Sequence, residues 1–172
     1  MSAHLAIVTT IDRSMSKLSA TLAWLPLAMA ALTVLVVTLR YGFGVGAIAA
    51  QEGVIYLHST LFMLGASCTL SADSHVRVDV FYRRFSPRAK AWVNALGHII
   101  FTLPLCVLIT LSSADYVGES WLTQETSAEP GGIPAVFLLK TLIPVMACLL
   151  ALQALAEILR SLGTLTEGTA ND

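Results

Sequence analysis

The stretch of residues 18–39, LSATLAWLPLAMAALTVLVVTL, decides the fold of this chain. Its 22 residues include no Asp, Glu, Lys or Arg. The hydrocarbon core of a bilayer is about 30 Å thick, and about 20 helical residues cross it at about 1.5 Å each. This stretch is therefore long enough and apolar enough to form a transmembrane helix.

Three further charge-poor stretches follow along the chain. Residues 53–72 and 91–114 are runs of 20 and 24 residues without a charged side chain. Residues 141–156 form a shorter run, and Lys140 separates it from the apolar residues 133–139. We predict four helices, at about 18–39, 53–72, 91–114 and 134–160, with Lys140 snorkelling near one membrane interface.

The composition supports a membrane protein and excludes several other classes. Of the 172 residues, 56% are hydrophobic and 12% are charged, whereas a soluble domain has about 25% charged residues. The chain is too apolar for disorder, and 3 cysteines are too few for a disulfide scaffold. A net charge of −1 gives no sign of a nucleic-acid partner. We predict an all-α integral membrane protein that forms one domain over residues 1–172 and contacts membrane lipid.

The first apolar stretch has a second interpretation as a cleaved signal peptide. Arg13 and Lys17 precede it, and the sequence Ala-Ile-Ala at residues 47–49 resembles a small-residue cleavage site. However, a signal core usually spans 7 to about 15 residues, and Arg40 and Tyr41 follow this stretch as a membrane stop. The sequence favours a retained helix.

The distribution of positive charge predicts the orientation of the helices. The connection between the second and third helices holds five Lys and Arg residues: Arg77, Arg83, Arg84, Arg88 and Lys90. The two terminal segments add Arg13, Lys17 and Arg160, whereas residues 115–129 contain four acidic residues and no Lys or Arg. Positively charged segments stay on the cytoplasmic side. We therefore predict that both termini and the second connection are cytoplasmic (N-in, C-in).

The second connection contains the most unusual stretch, SADSHVRVDVFYRR at residues 71–84. A metal site formed by Asp73, His75 and Asp79 and a plain solvated loop are two interpretations. A third is an interfacial segment, in which alternate valines face lipid and arginines lie at the level of the phosphates. We favour the interfacial segment, with Asp79 pairing with Arg77 or Arg83.

Two histidines lie within the predicted spans, His58 in the second and His98 in the third. A haem held by both is the first hypothesis. Counting residues from the membrane edges, however, places them about 12 Å apart in depth, whereas two ligands of one iron need similar depths. Interhelical hydrogen bonding is the favoured interpretation.

Two pairs of polar residues and three prolines allow predictions about local contacts and helix geometry. Arg40 and Glu52 flank the first connection, either as a salt bridge or as two separate snorkelling charges. Gln153 and Glu157 share a helix face, where they either bond to a neighbouring helix or lie near the inner interface. Pro104 and Pro144 predict kinks, and a turn is predicted at residues 130–132.

Several features of transporters and enzymes are missing from the sequence. It has no inverted repeat, no charge cluster at the membrane centre, and no nucleotide-binding or catalytic motif. We predict no catalytic residue, no cofactor and no metal. A helper, anchor or scaffold role follows rather than an enzymatic one.

Several short stretches together resemble one family. They are Arg40-Tyr41, Gln51-Glu52, Leu64-Gly65-Ala66, HVRVDV at residues 75–80, and EPGGIP at residues 129–134 with Lys140, Pro144 and Gln153. Over roughly residues 20 to 160, the chain resembles the small membrane subunit (DctQ-like) of tripartite ATP-independent periplasmic (TRAP) transporters.

This resemblance implies a function that composition does not show. It implies a bacterial inner-membrane complex in which a large membrane subunit carries the substrate and sodium sites. A periplasmic substrate-binding protein delivers an organic acid, and the small subunit packs beside the large one and is required for uptake. His75, Arg77 and Asp79 match the family motif, and Arg40 and Glu52 match outside it. We interpret these five as structural or assembly residues.

The sequence is also compatible with two other functions. One is a membrane anchor for a redox enzyme, in contact with haem or quinone, and the other is a homo-oligomeric channel.

Overall fold

A computed structural model describes residues 3–72, 82 and 84–167, and these residues form helices joined by short connections. The α-helices are α1 (Ala3–Leu22), α2 (Leu25–Phe43), α3 (Ile48–Ser71), α4 (Pro87–Gly97), α5 (Leu103–Leu122) and α6 (Val136–Glu167). A π-helical turn, His98–Thr102, joins α4 to α5. The described residues contain no strand, and the prediction of an all-α fold is confirmed.

Within the described ranges, four helical units are long and apolar enough to cross a membrane, as predicted. They are α1 joined to α2, α3 alone, α4 joined to α5, and α6 alone. The apolar spans of the first and third, Ala6–Phe43 and Pro87–Leu122, contain 38 and 36 residues. At about 1.5 Å per residue, each is longer than the hydrocarbon core of about 30 Å. The predicted interfacial segment falls mostly on residues 73–81 and 83, which lie outside the described residues.

The N-terminal helix α1 is the main difference from the predicted boundaries. The sequence places the first helix at 18–39, but the chain is already helical from residue 3. Val8, Met15 and Leu22 are buried and lie seven residues apart, so they form one stripe that packs on α6 and α3. α1 ends just before Pro26, which lies in the first turn of α2 and lacks a backbone N–H.

The two helix-interior prolines have different surroundings. Before Pro104, the backbone N–H of Leu103 bonds to the carbonyl of His98, five residues earlier. The π turn therefore takes up the local disturbance on this helix. Pro144 instead lies inside the uninterrupted α6.

Helix α6 forms the centre of the bundle, because α1, α3, α4 and α5 all pack against it. Its contact positions are small: Ala147, Ala154 and Ala156 are fully buried. Small side chains let helix backbones approach closely, which replaces the hydrophobic driving force that lipid removes. The large apolar side chains lie mainly on the outside, such as Phe62 and Leu111.

Candidate functional site: polar clusters at the two ends of the bundle

Glu52, in the second turn of α3, binds the connection between α5 and α6. One carboxylate oxygen accepts a hydrogen bond from the Ser127 hydroxyl. The other accepts one from the backbone N–H of Ile133 at 2.6 Å. The side chain thus joins the start of α3 to a loop about 80 residues further along the chain.

A tight turn brings this loop to Glu52. The backbone N–H of Gly132 bonds to the carbonyl of Glu129 at 3.0 Å, and Gly131 has a φ of 80°, a conformation that glycine adopts without strain. A Cβ added to Gly132 would lie 2.6 Å from Ser127 Cβ and 2.7 Å from Glu52 Oε1. The turn predicted at residues 130–132 is confirmed, and Gly132 permits the close approach.

Lys140 lies beside the same loop and has two partners. Its ammonium group forms an ion pair with Glu125 and lies 3.9 Å from the centroid of the Tyr116 ring. The hydrogen bond from Lys140 lowers the pKa of Glu125 below its ordinary value. Lys140 is therefore paired within the protein, which the prediction of snorkelling did not include.

An aromatic contact completes this end. The indole N–H of Trp121 donates to the Thr141 hydroxyl at 2.8 Å, and its ring meets Phe137 edge to face. We call Glu52, Glu125, Ser127, Ile133 and Lys140 the loop cluster.

Arg40 lies apart from the loop cluster. It is exposed in the last turn of α2, where its positive charge is favourable beside the free carbonyls. Among the described residues, the ion pairs connect Lys140 with Glu125 and Arg160 with Asp12 and Glu157. The Arg40–Glu52 salt bridge is not formed. Glu52 does not snorkel as a separate charge either, because the loop before α6 binds its carboxylate.

A second polar cluster lies further along α6. Gln153 is fully buried, and its amide donates to Asp12 and Glu157, both at 3.2 Å. Arg160 donates to Asp12 at 2.6 Å and pairs with Glu157. These four residues, called the α1 cluster below, tie α1 to α6, and Gln153 bonds to a neighbouring helix as one interpretation proposed.

The two membrane histidines are not brought together. His58 is exposed on α3 and stacks on Phe62 of the same helix, with ring centroids 6.3 Å apart. His98 Nδ1 lies 3.1 Å from the Thr102 hydroxyl within the π turn. Each of these contacts lies within a single helix, and among the described residues His58 forms no interhelical hydrogen bond. Over the described ranges, no three His, Cys, Asp or Glu side chains converge as a metal site would require.

The predicted site residues thus divide into two groups. Glu52 and Arg40 are described, and only Glu52 joins two parts of the chain. His75, Arg77 and Asp79 lie outside the described residues, so their predicted role in assembly stays a prediction. Sequence reasoning missed Asp12, Arg160, Glu125 and Ser127.

The two clusters fasten α6 to its neighbours at two separate levels along the helix. Lys140 and Gln153 are 13 residues apart on α6, which corresponds to about 20 Å along the helix. One cluster therefore fastens α3 and the loop at the start of α6, and the other fastens α1 further along it. These groups hold helices in place and form no reaction centre.

Comparison with known proteins identifies the family. Residues 29–164, more than half of the chain, match the family described as the tripartite ATP-independent periplasmic transporters, DctQ component. No curated protein and no solved structure matched the chain. The match covers the second and third candidate membrane spans wholly, the fourth nearly to its end, and residues 29–43 of the first. The chain belongs to the DctQ component family of the tripartite ATP-independent periplasmic transporters.

Proposed function

We propose that this chain supports a large membrane subunit during sodium-driven uptake of an organic acid, which a periplasmic binding protein delivers. The observation that carries the proposal is the family match over residues 29–164. The geometry agrees with a supporting role, because the described ion pairs fasten helices to one another at α1 and at the loop before α6. Such contacts keep a bundle rigid while a neighbouring protein moves.

We also propose that the complex lies in the bacterial inner membrane, with both termini of this chain in the cytoplasm. The proposal rests on the excess of Lys and Arg in the terminal segments and the second connection. Reporter fusions after residues 45, 85, 125 and 167 test this orientation. Cytoplasmic activity is expected at 85 and 167 only, and the reverse pattern would contradict it.

Uptake by cells tests the supporting role. The chain would be expressed with its large subunit and its periplasmic binding protein. Accumulation of labelled organic acids would be measured with and without a sodium gradient. We expect accumulation to need all three proteins and sodium. Full uptake in cells that lack this chain would overturn the proposal, as would transport by this chain alone in vesicles.

A further inference from the structure

The outward face of α3 carries a stripe with the spacing of a helix–helix contact. Gln51, Ile55, His58, Phe62, Gly65 and Thr69 follow one another at intervals of four, three, four, three and four residues. This alternation keeps one helix face against a partner helix over several turns. Yet Ile55 and Phe62 are 55% and 73% exposed, and His58 is exposed between them, whereas the other three residues are half-buried. We call these six residues the α3 stripe.

His58 gives the stripe a requirement that lipid does not meet. It is the eleventh of the 24 residues of α3, about 15 Å from the start of the helix and well inside the hydrocarbon core. Its ring stacks on Phe62, but no hydrogen bond joins it to another described residue. Hydrocarbon offers no donor or acceptor, and polar side chains at this depth face protein or water.

Gly65 gives the stripe room for a second backbone. A Cβ added to Gly65 would meet no atom within 4 Å, whereas a Cβ added to Gly53 would lie 3.0 Å from Leu32 of α2. Gly53 therefore serves a contact within this chain, and the space at Gly65 is open. The neighbouring Thr69 turns its hydroxyl to the carbonyl of Gly65 at 2.7 Å. A glycine and a threonine four residues apart permit close approach of another transmembrane helix.

The outward face of α5 is different and suits lipid. Leu108 and Leu111 are 61% and 70% exposed there, and Val107 is 57% exposed. Aliphatic side chains need no partner in hydrocarbon. The face of α5 is therefore suited to contact with lipid, whereas the α3 stripe carries a histidine whose hydrogen-bonding groups lipid cannot pair.

We propose that the α3 stripe is the docking face for a transmembrane helix of the large membrane subunit. That helix packs closely at Gly65 and presents a hydrogen-bonding side chain, such as Ser, Thr, Asn or a carboxylate, to His58. The inference rests on the proposed function, which supplies this partner. It adds the face of the bundle and the chemistry of the contact.

Photo-crosslinking in the assembled complex tests the face. A benzophenone amino acid would replace Phe62 in one variant and, as a control on α5, Leu111 in another. Both side chains are about equally exposed. We expect Phe62 to yield an adduct with the large subunit and Leu111 to yield none. An adduct of Phe62 with lipid alone, or with a second copy of this chain, would overturn the inference.

Two substitutions test the chemistry of the contact. Gly65→Leu adds a bulky side chain at a position where a Cβ would meet no atom within 4 Å, and Gly118→Leu does so at a position on α5 where the same is true. We expect Gly65→Leu to reduce the large subunit recovered with this chain about tenfold, and Gly118→Leu to leave it unchanged. His58→Leu should reduce recovery about threefold, the effect of one interhelical hydrogen bond, and His58→Asn should restore most of it.

The thermal stability of the isolated chain separates docking from misfolding. The ring contact that His58→Leu removes is with Phe62 of the same helix, and a Cβ at Gly65 enters open space. Neither change breaks a contact between helices of this chain that the structure shows, so both variants should unfold close to the parent temperature. Unchanged recovery with Gly65→Leu and His58→Leu would overturn the inference. If the parent complex forms but crosslinks through another face, only this inference fails. If the parent chain recovers no large subunit, the proposed function fails with it.

Discussion

The loop cluster and the α1 cluster both hold separate parts of the bundle together, but the chemistry of their contacts differs. In the loop cluster, the Glu52 carboxylate is held by neutral donors, one hydroxyl and one backbone N–H. In the α1 cluster, the carboxylates of Asp12 and Glu157 share one guanidinium and one buried amide. The attachment of Glu52 depends on the shape of a turn, whereas the α1 cluster depends on charge and burial.

This difference predicts how each cluster fails. A turn that packs closely around a glycine is sensitive to a larger side chain, because the added atoms would overlap with the neighbouring residues. A network with two carboxylates is sensitive to the loss of a donor, because it leaves acceptors unpaired beside one another. Four changes test this contrast.

The largest effect is expected for Gln153→Ala. The change removes two hydrogen bonds and leaves a cavity at a fully buried position. A loss of about 2–4 kcal/mol in the free energy of unfolding follows from the unpaired acceptors and the cavity. Chemical denaturation in detergent measures it, with Leu152→Ala as the lipid-facing control. Equal losses in the two variants would show that the network adds no stability.

Gly132→Ala should come next, with a loss of about 1–3 kcal/mol. The added Cβ would meet Ser127 and the Glu52 carboxylate at less than 3 Å, so the loop has to move away from α3. Gly118→Ala is the matched control, because its Cβ would meet no atom within 4 Å. Thermal unfolding midpoints compare the two, and a Gly132→Ala midpoint equal to the control would refute steric closure of the turn.

Arg160→Gln should have a smaller and local effect. It removes both ion pairs of the α1 cluster but leaves the Gln153 bonds to Asp12 and Glu157. Partly exposed pairs of this kind contribute about 0.2–1 kcal/mol, so backbone hydrogen exchange in α1 should rise by roughly twofold to fivefold. Arg13→Gln serves as the control, because Arg13 is an exposed positive charge on α1. Unchanged exchange in α1 would mean that apolar packing alone holds this helix.

The two clusters also differ in how far the sequence predicted them. The turn at residues 130–132 was predictable because Pro and Gly specify it locally. Its attachment to Glu52 was not, because the bonded residues are 75 and 81 positions apart. Asp12 and Arg160 are 148 positions apart, and a single sequence contains no signal that pairs them.

Helix α1 was missed for a different reason. The prediction treated Arg13 and Lys17 as a charged flank of the first membrane helix, although Val8, Met15 and Leu22 already followed a helical period. The four membrane helices were predictable because lipid requires long apolar runs. Most of α1 is not a long apolar run, so its signal in the sequence is the helical spacing of its apolar residues among polar ones.

Acidification should produce the smallest effect, and it acts through the loop cluster. Hydrogen bonding to Lys140 lowers the pKa of Glu125 in the folded protein from its ordinary value of 4.5. A group with a lowered folded-state pKa stabilises the protein above its unfolded pKa, and the contribution disappears as the pH falls through the folded value. Unfolding midpoints should therefore fall more steeply below pH 4.5 in the parent chain than in Glu125→Gln. Because Glu125 is partly exposed, the difference should be small and should shrink further in high salt. Parallel pH profiles for the two proteins would show that the ion pair contributes nothing, and the loop would then depend on Glu52 and the shape of its turn.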